Sequence, residues 1–306
     1  MIASPLRSSL PDRVTIVEVG PRDGLQNEQG IVPTDVKIEL IERLAGAGLP
    51  VVEATSFVNP KWVPQLADAE EVMLRLKRQP GVRYPVLVPN ERGLERALAA
   101  GATEVSIFAS ATETFSQRNL NRSRDEAIEM FAPVCRRAGE AGTPVRGYVS
   151  MVFGDPWDGE VAPTEVVEQS LRLLELGCFE LSLGDTIGIG TPGQVEDLLA
   201  VFDDAGVDAS KLAVHFHDTY GQGLANVLAA LQCGLSVVDA SAGGLGGCPF
   251  ARSATGNLAT EDLVWMLDGL GVTTGVDLRA VAEASAWVCG CLGKDIPGRV
   301  ARALQA

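Results

Sequence analysis

Short β-branched runs alternate with longer amphipathic stretches along nearly the whole chain. The runs over 14–20, 51–57, 84–89, 103–109, 145–151, 179–185, 211–218 and 236–242 are bounded by turn residues and predict strands. Helical spacing follows each one. Over 35–47, Ile38, Ile41, Leu44 and Ala45 share a face, and over 221–233 Leu224, Val227, Leu228 and Leu231 do the same. Ser123 with Glu126, and Thr191 with Gln194, make capping-box patterns, and Pro192 occupies the favoured first helical position. Gly48 and Gly234 fall where helices stop.

Eight strand–helix repeats predict an α/β fold, one (β/α)8 TIM barrel over residues 1–275. Residues 276–306 exceed eight units and predict a short C-terminal helical extension packed on the barrel, with Pro297 near the start of its last segment. A doubly wound open sheet is the alternative, but it calls for fewer strands or a second domain.

Composition narrows the function. A chain of 306 residues that is 46% hydrophobic can bury a large core. Its net charge of -15 argues against nucleic-acid binding, which needs a basic face. An anionic substrate remains possible at a local positive site, without long-range attraction to help it arrive. The six cysteines include no C-x-x-C pair, which fits reduced thiols in a cytosolic enzyme. The first residues lack the long apolar run of a secretory signal, and no stretch approaches about 18 uninterrupted apolar residues, so no membrane span is expected.

In a barrel, chemistry sits at the carboxyl ends of the strands. The seventh predicted strand ends Val214-His215-Phe216-His217-Asp218. Side chains two apart on a strand share a face, so the only two histidines of the chain converge, either on a divalent metal or on buried hydrogen-bond partners. After the first strand, Asp23 offers a hard oxygen ligand and Arg22 a permanent cation for an oxyanion, unless the pair is a surface ion pair before an Asp-Gly turn. Glu53 interrupts an apolar strand; if it points inward it needs a partner, and Arg22 on the neighbouring strand is a candidate. Asp185, ending the sixth strand, poses the same question. Beyond the eighth strand, Gly243-Gly244-Leu245-Gly246-Gly247 leads to Cys248, either a proton-exchanging thiol on a substrate loop or a small apolar filler. Asn257, in Thr255-Gly256-Asn257, can complete a metal site with its amide oxygen or simply end a turn. Gly188-Ile-Gly190-Thr-Pro-Gly193 fits G-x-G-x-x-G, but it follows the sixth strand and a helix opens inside it, so a tight loop near the site is the better reading than a dinucleotide fingerprint.

Together these residues resemble the 3-hydroxy-3-methylglutaryl-CoA lyase family, within the superfamily of metal-dependent barrel lyases and Claisen-type synthases. The resemblance runs from about Val14 to Val276 and is carried by GPRDGLQNE (20–28), TSFVNPKWVPQ (55–65), SLGDTIGIGTPG (182–193), HFHDTYGQGLAN (215–226) and GLGGCPFARSATGNLATEDLV (244–264). It implies Mg²⁺ or Mn²⁺ held by Asp23, His215, His217 and Asn257. It implies catalytic roles for Arg22, Glu53, Asp185, His215 and Cys248, with Arg22, Ser56 and Ser182 on the substrate side. The implied reaction is retro-Claisen cleavage of 3-hydroxy-3-methylglutaryl-CoA to acetyl-CoA and acetoacetate, as in leucine degradation and ketone-body formation. Asp185, Glu53 and a ligating histidine all stand as candidates for the first proton acceptor. The implied partners are an acyl-CoA and a second copy of the chain in a homodimer, with no nucleic acid and no membrane.

Departures from the family pattern are local. Phe216 stands between the histidines where relatives often carry a small residue, and Gln29 and Gly30 stand where they often carry a basic one. The end lacks a peroxisomal address and the start is short for a mitochondrial presequence, so a cytoplasmic location is expected. The rival activities are the same cleavage on a longer branched 3-hydroxyglutaryl-CoA and a Claisen-type condensing synthase, which usually carries more sequence after the barrel. A noncatalytic barrel serving as a scaffold is the rival from another class.

Overall fold

The computed structural model describes residues 10–247 and 256–305. Among these, the barrel strands are β1 (Thr15–Glu18), β2 in two pieces (Val51–Val52 and Thr55–Ser56), β3 (Val86–Leu87), β4 (Val105–Ser110), β5 (Val145–Ser150), β6 (Glu180–Asp185), β7 (Leu212–Phe216) and β8 (Val237–Ala240). Neighbours pair in parallel, in the order β2-β1-β8-β7-β6-β5-β4-β3-β2. The two ends of that ladder are successive pieces of one run. Glu53 N–H donates to Glu18 O at 2.8 Å on one side, and Ala54 N–H to Pro85 O at 2.9 Å on the other. The ring therefore closes, and the fold is a TIM-barrel-like α/β fold with its helices outside.

The helices are α1 (Thr34–Gly46), α2 (Ala69–Arg75), α3 (Glu91–Ala99), α4 (Glu113–Leu120), α5 (Arg124–Glu140), α6 (Pro163–Glu175), α7 (Pro192–Asp204), α8 (Gly223–Gln232), α9 (Thr260–Leu270), α10 (Leu278–Leu292) and α11 (Arg299–Leu304). The expected caps form. Ser123 Oγ accepts the Glu126 N–H at 3.1 Å while Glu126 Oε2 accepts the Ser123 N–H at 2.8 Å, which starts α5. Before α7, Gln194 Oε1 accepts the Thr191 N–H at 3.1 Å. The apolar face of α1 buries Ile38, Ile41, Leu44 and Ala45. In α8 the buried face centres on Val227 and Leu231, with Leu224 at its edge. Val281, Ala284, Val288 and Cys289 of α10 join the same apolar core.

Most strands end a residue or two before their apolar runs do, and two of these early ends shape the site. The run over 14–20 yields β1 only to Glu18, because Gly20–Gly24 coils into a π-helical turn. The run over 211–218 yields β7 only to Phe216, although His217 still bridges to Asn257. Both departures lie at the mouth of the barrel. The interior is also polar: Glu53, Arg146, Ser182 and Asp239 are all buried.

Candidate active site

The π-helical turn after β1 is tight. The Asp23 and Gly24 N–H groups both donate to Val19 O, at 2.7 and 3.1 Å. Wide single turns of this kind often occur at functional sites. Here the turn carries Arg22 and Asp23 into the wall of a cavity of about 830 Å³, which His215, His217 and Tyr148 also line. The two imidazoles stand 5.5 Å apart between centroids, and His215 Nε2 lies 3.9 Å from Asp23 Oδ2. One ligand atom from each of Asp23, His215 and His217 falls within 4.8 Å of the other two.

The charges around this point are ordered. Burial alone would push Asp23 up, but Arg22 and the two imidazoles outweigh it and hold the carboxyl at about 2. Burial, reinforced by His215, pushes His217 down to about 4, so its ring is neutral at pH 7. Among the described residues, His217 Nδ1 is buried with no hydrogen-bond partner, a state that ordinarily costs about 1–3 kcal/mol. One ionised carboxylate, two imidazoles and an unsatisfied ring nitrogen fit a divalent cation better than a self-contained hydrogen-bond cluster. Asn257 joins them. Its Nδ2 donates to Asp23 Oδ2 at 2.8 Å and to Leu245 O at 3.1 Å, so its carbonyl oxygen is the atom left to face a cation.

Arg22 is pinned on two sides: Nε donates to Glu53 Oε2 at 2.7 Å, and Nη1 to Asp23 Oδ1 at 2.6 Å. Glu53 Oε2 also accepts from Tyr148 Oη at 3.2 Å. The Tyr148 ring lies between two guanidiniums, with Arg22 at 5.3 Å and Arg146 at 5.1 Å from its centroid. Arg146 in turn grips Asp239 with two bonds, at 2.7 and 3.0 Å, and Glu180 with one at 2.6 Å. Asp239 Oδ2 reaches His215 Nδ1 at 3.2 Å. A closed polar circuit thus runs from Asp23 through Arg22, Glu53, Tyr148, Arg146, Asp239 and His215 back to Asp23.

Three expected site residues lie elsewhere. The Asp185 carboxylate turns onto the following loop, where it accepts the Ile189 N–H at 3.1 Å and the Gly190 N–H at 2.9 Å. Burial pushes it up to about 6, with the backbone amides opposing. The first two glycines of the G-x-G-x-x-G string belong to this turn: Gly188 has φ +68°, and a Cβ on Gly190 would clash with the Phe153 ring and come within 2.9 Å of Asp185 Oδ2, while Gly193 has open space around it. Ser182 is buried inside the barrel and donates to Asp239 Oδ2 at 2.8 Å. Ser56 is also buried, and its Oγ accepts the Val58 N–H at 3.3 Å. None of these three lines the cavity. Cys248 lies outside the described residues; Gly247, just before it, lines the cavity and accepts a bond from Asn27 Nδ2 at 2.8 Å.

Sequence reasoning missed Asp239, Arg146 and Tyr148. The signal that flagged Glu53, a charge inside an apolar strand, is equally present at Asp239 in Val-Val-Asp-Ala and at Arg146 in Val-Arg-Gly-Tyr-Val. Tyr148 shares a strand face with Arg146 by simple alternation.

Comparison with known proteins agrees with this geometry. The HMGL-like family model matches residues 13–288. A relative from Bos taurus named hydroxymethylglutaryl-CoA lyase, mitochondrial, is 57% identical over 96% of this chain and 90% of its own. The crystal structure of hydroxymethylglutaryl-CoA lyase from Pseudomonas aeruginosa superposes with a TM-score of 0.95 at 48% identity, covering 97% of this chain and 99% of that one. An HMG-CoA lyase from Acinetobacter baumannii, solved in complex with coenzyme A and 3-methylmalate, superposes with a TM-score of 0.91 at 39% identity over 95% of both chains. The names of relatives divide between mitochondrial and cytoplasmic.

Proposed function

The chain belongs to the HMGL-like family, and from that premise we infer that it cleaves 3-hydroxy-3-methylglutaryl-CoA to acetyl-CoA and acetoacetate. The observation that carries this is the convergence of Asp23, His215 and His217 beside a buried arginine in one cavity. Relatives sharing more than half of their residues with the chain carry the lyase name, which disfavours both the condensing synthase and the longer-chain substrate.

Asp23, His215, His217 and Asn257 would hold the divalent ion, and we assign it as Mg²⁺ or Mn²⁺ on the hard oxygen content of the set. When bound, such an ion orients a hydroxy-acid substrate and makes its hydroxyl more acidic. The remaining work falls to the chain. The hydroxyl proton passes to one of the candidate acceptors, Asp185, Glu53 or a ligating histidine, as the new ketone of acetoacetate forms. The electrons of the broken bond, between the second and third carbons, pass to the thioester as an enolate. Arg22 spends Nε on Glu53 and Nη1 on Asp23, which leaves Nη2 as the donor for that enolate oxygen. A preorganised donor of this type contributes about 3–4 kcal/mol. Cys248 then protonates the enolate carbon, which becomes the methyl group of acetyl-CoA. The position of Gly247 in the cavity wall supports that reach. Glu53 acts by fixing Arg22, and Asp185 by fixing the turn beside His217; Ser56 and Ser182 act from within the scaffold.

The acyl-CoA specificity agrees with a coenzyme A complex in the Acinetobacter relative. A homodimer and a cytoplasmic location complete the proposal, the latter supported by relatives named cytoplasmic. Among the described residues no helix is long and apolar enough to cross a membrane. The test is product analysis. Purified protein with Mg²⁺ and 3-hydroxy-3-methylglutaryl-CoA should release acetoacetate and acetyl-CoA in equal amounts, and absence of both products overturns the assignment.

A further inference from the structure

Asp239 sits on β8 directly beside His215, since the β7–β8 register pairs the two residues. It is buried, yet it collects four donors. Arg146 Nη2 reaches Oδ1 at 2.7 Å, and Oδ2 receives Ser182 Oγ at 2.8 Å, Arg146 Nη1 at 3.0 Å and His215 Nδ1 at 3.2 Å. A carboxylate placed there would be expelled from the barrel interior unless a cation balanced it. Arg146, 1% exposed, is that cation, and its paired bonds keep Asp239 ionised.

An ionised carboxylate is an acceptor only. The contact with His215 Nδ1 is therefore a bond in which the imidazole donates. With the ring proton on Nδ1, Nε2 carries the lone pair, and Nε2 is the nitrogen that faces Asp23 at 3.9 Å. We propose that Asp239, held ionised by Arg146, is a positioning residue that locks His215 as the Nδ1–H tautomer and aims its Nε2 lone pair at the cation site. Ser182 completes the device by taking up part of the charge on Oδ2 without supplying any of its own. The barrel interior thus acts as an electrostatic support for one ligand. His217, whose Nδ1 has no partner among the described residues, receives no such support from them. Carboxylate partners of ligating histidines are a general device for fixing ring orientation and raising ligand basicity.

The inference rests on His215 being a metal ligand, and two measurements separate that premise from the role of Asp239. The chain contains only two histidines, so ¹⁵N-histidine NMR of the metal-free protein near neutral pH yields two imidazoles, assigned with a His217→Gln sample. His215 should show a protonated Nδ1 and an unprotonated Nε2. The opposite tautomer overturns the proposal whether or not any variant folds. Calorimetric titration with Mn²⁺ is the second measurement. Asp239→Asn should lower Mn²⁺ affinity by about ten- to a hundredfold relative to wild type. A role confined to packing would lower the melting temperature and leave the affinity of the folded protein unchanged, so a folded variant within about twofold of wild type also overturns it. If wild type itself takes up no Mn²⁺, the metal premise falls, and with it the purpose assigned to Asp239.

Discussion

Asp23 follows one barrel strand and Asp185 closes another, and each is a buried or nearly buried carboxylate close to His215, yet their surroundings drive them in opposite directions. Asp23 rides on a π-helical turn into the cavity and meets Arg22, two imidazoles and the Asn257 amide, which hold it at about 2. Asp185 bends onto its own loop and accepts backbone amides, which together with nearby His215 do not offset its burial, so it stands at about 6. Asp23 therefore stays charged across the neutral range, as the proposed ligand role requires, while Asp185 accepts hydrogen bonds from its own turn. The difference follows from what each strand end delivers next to the carboxylate, not from the residue type.

The largest expected effect comes from breaking the Asp23 side. Asp23→Asn removes the negative charge of the proposed ligand and of its ion pair with Arg22 together. Turnover should fall by about three orders of magnitude or more, with metal affinity falling in parallel by calorimetry. Retained metal affinity would mean that Asp23 is not a ligand. Next comes Cys248→Ser, which replaces the proposed acid with a far weaker one. It should lose about 10²- to 10⁴-fold in turnover while binding metal normally, and near-wild-type turnover removes the thiol from the chemistry.

The Asp185 side should behave differently. Asp185→Asn should keep metal affinity within about tenfold of wild type, since the carboxylate does not line the cavity. Its signature should be in stability. The native state raises the Asp185 carboxyl from 3.8 to about 6, so the folded chain holds that proton longer than the unfolded chain does. Wild type should therefore lose stability as pH rises through this window, by on the order of 3 kcal/mol, with the loss constant above it. The asparagine variant lacks this component. Urea unfolding of metal-free protein from about pH 4 to about pH 7 should show the wild-type advantage over the variant shrinking as pH rises. A gap independent of pH would mean that Asp185 is not pushed up. Asp23 has the opposite sign: its stabilisation is present above 3.8 and is lost as pH falls towards about 2.

Much of the barrel was legible because its period is local. Alternating short apolar runs and amphipathic stretches, together with the Ser123 cap, mark the repeat without any knowledge of contacts. The His-x-His pair was legible for the same reason, and the charge of Glu53 inside an apolar strand correctly called for Arg22 as its partner. Alternation assigns a residue to a face but says nothing of its height in the barrel. Ser182, given a substrate-side role by resemblance, is buried and bonds Asp239, which alternation alone could not indicate. The support under His215 was hidden because Arg146 and Asp239 are far apart in sequence and meet only across the closed ring. The π-helical turn has no periodic signature at all. It depends on Pro21 and on the carbonyl of Val19 accepting more than one N–H.

The central claim is that one divalent ion, held by Asp23 and the two histidines, is required for carbon–carbon cleavage. Metal-stripped protein should be titrated with Mg²⁺ while acetoacetate formation from 3-hydroxy-3-methylglutaryl-CoA is followed in the same samples, with His217→Ala in parallel. A metal-dependent lyase should be inactive when stripped, regain activity in proportion to ion bound up to one per chain, and regain almost none in the variant at the same Mg²⁺ concentration. Full activity in the stripped protein, or an unchanged Mg²⁺ titration in His217→Ala, would contradict it.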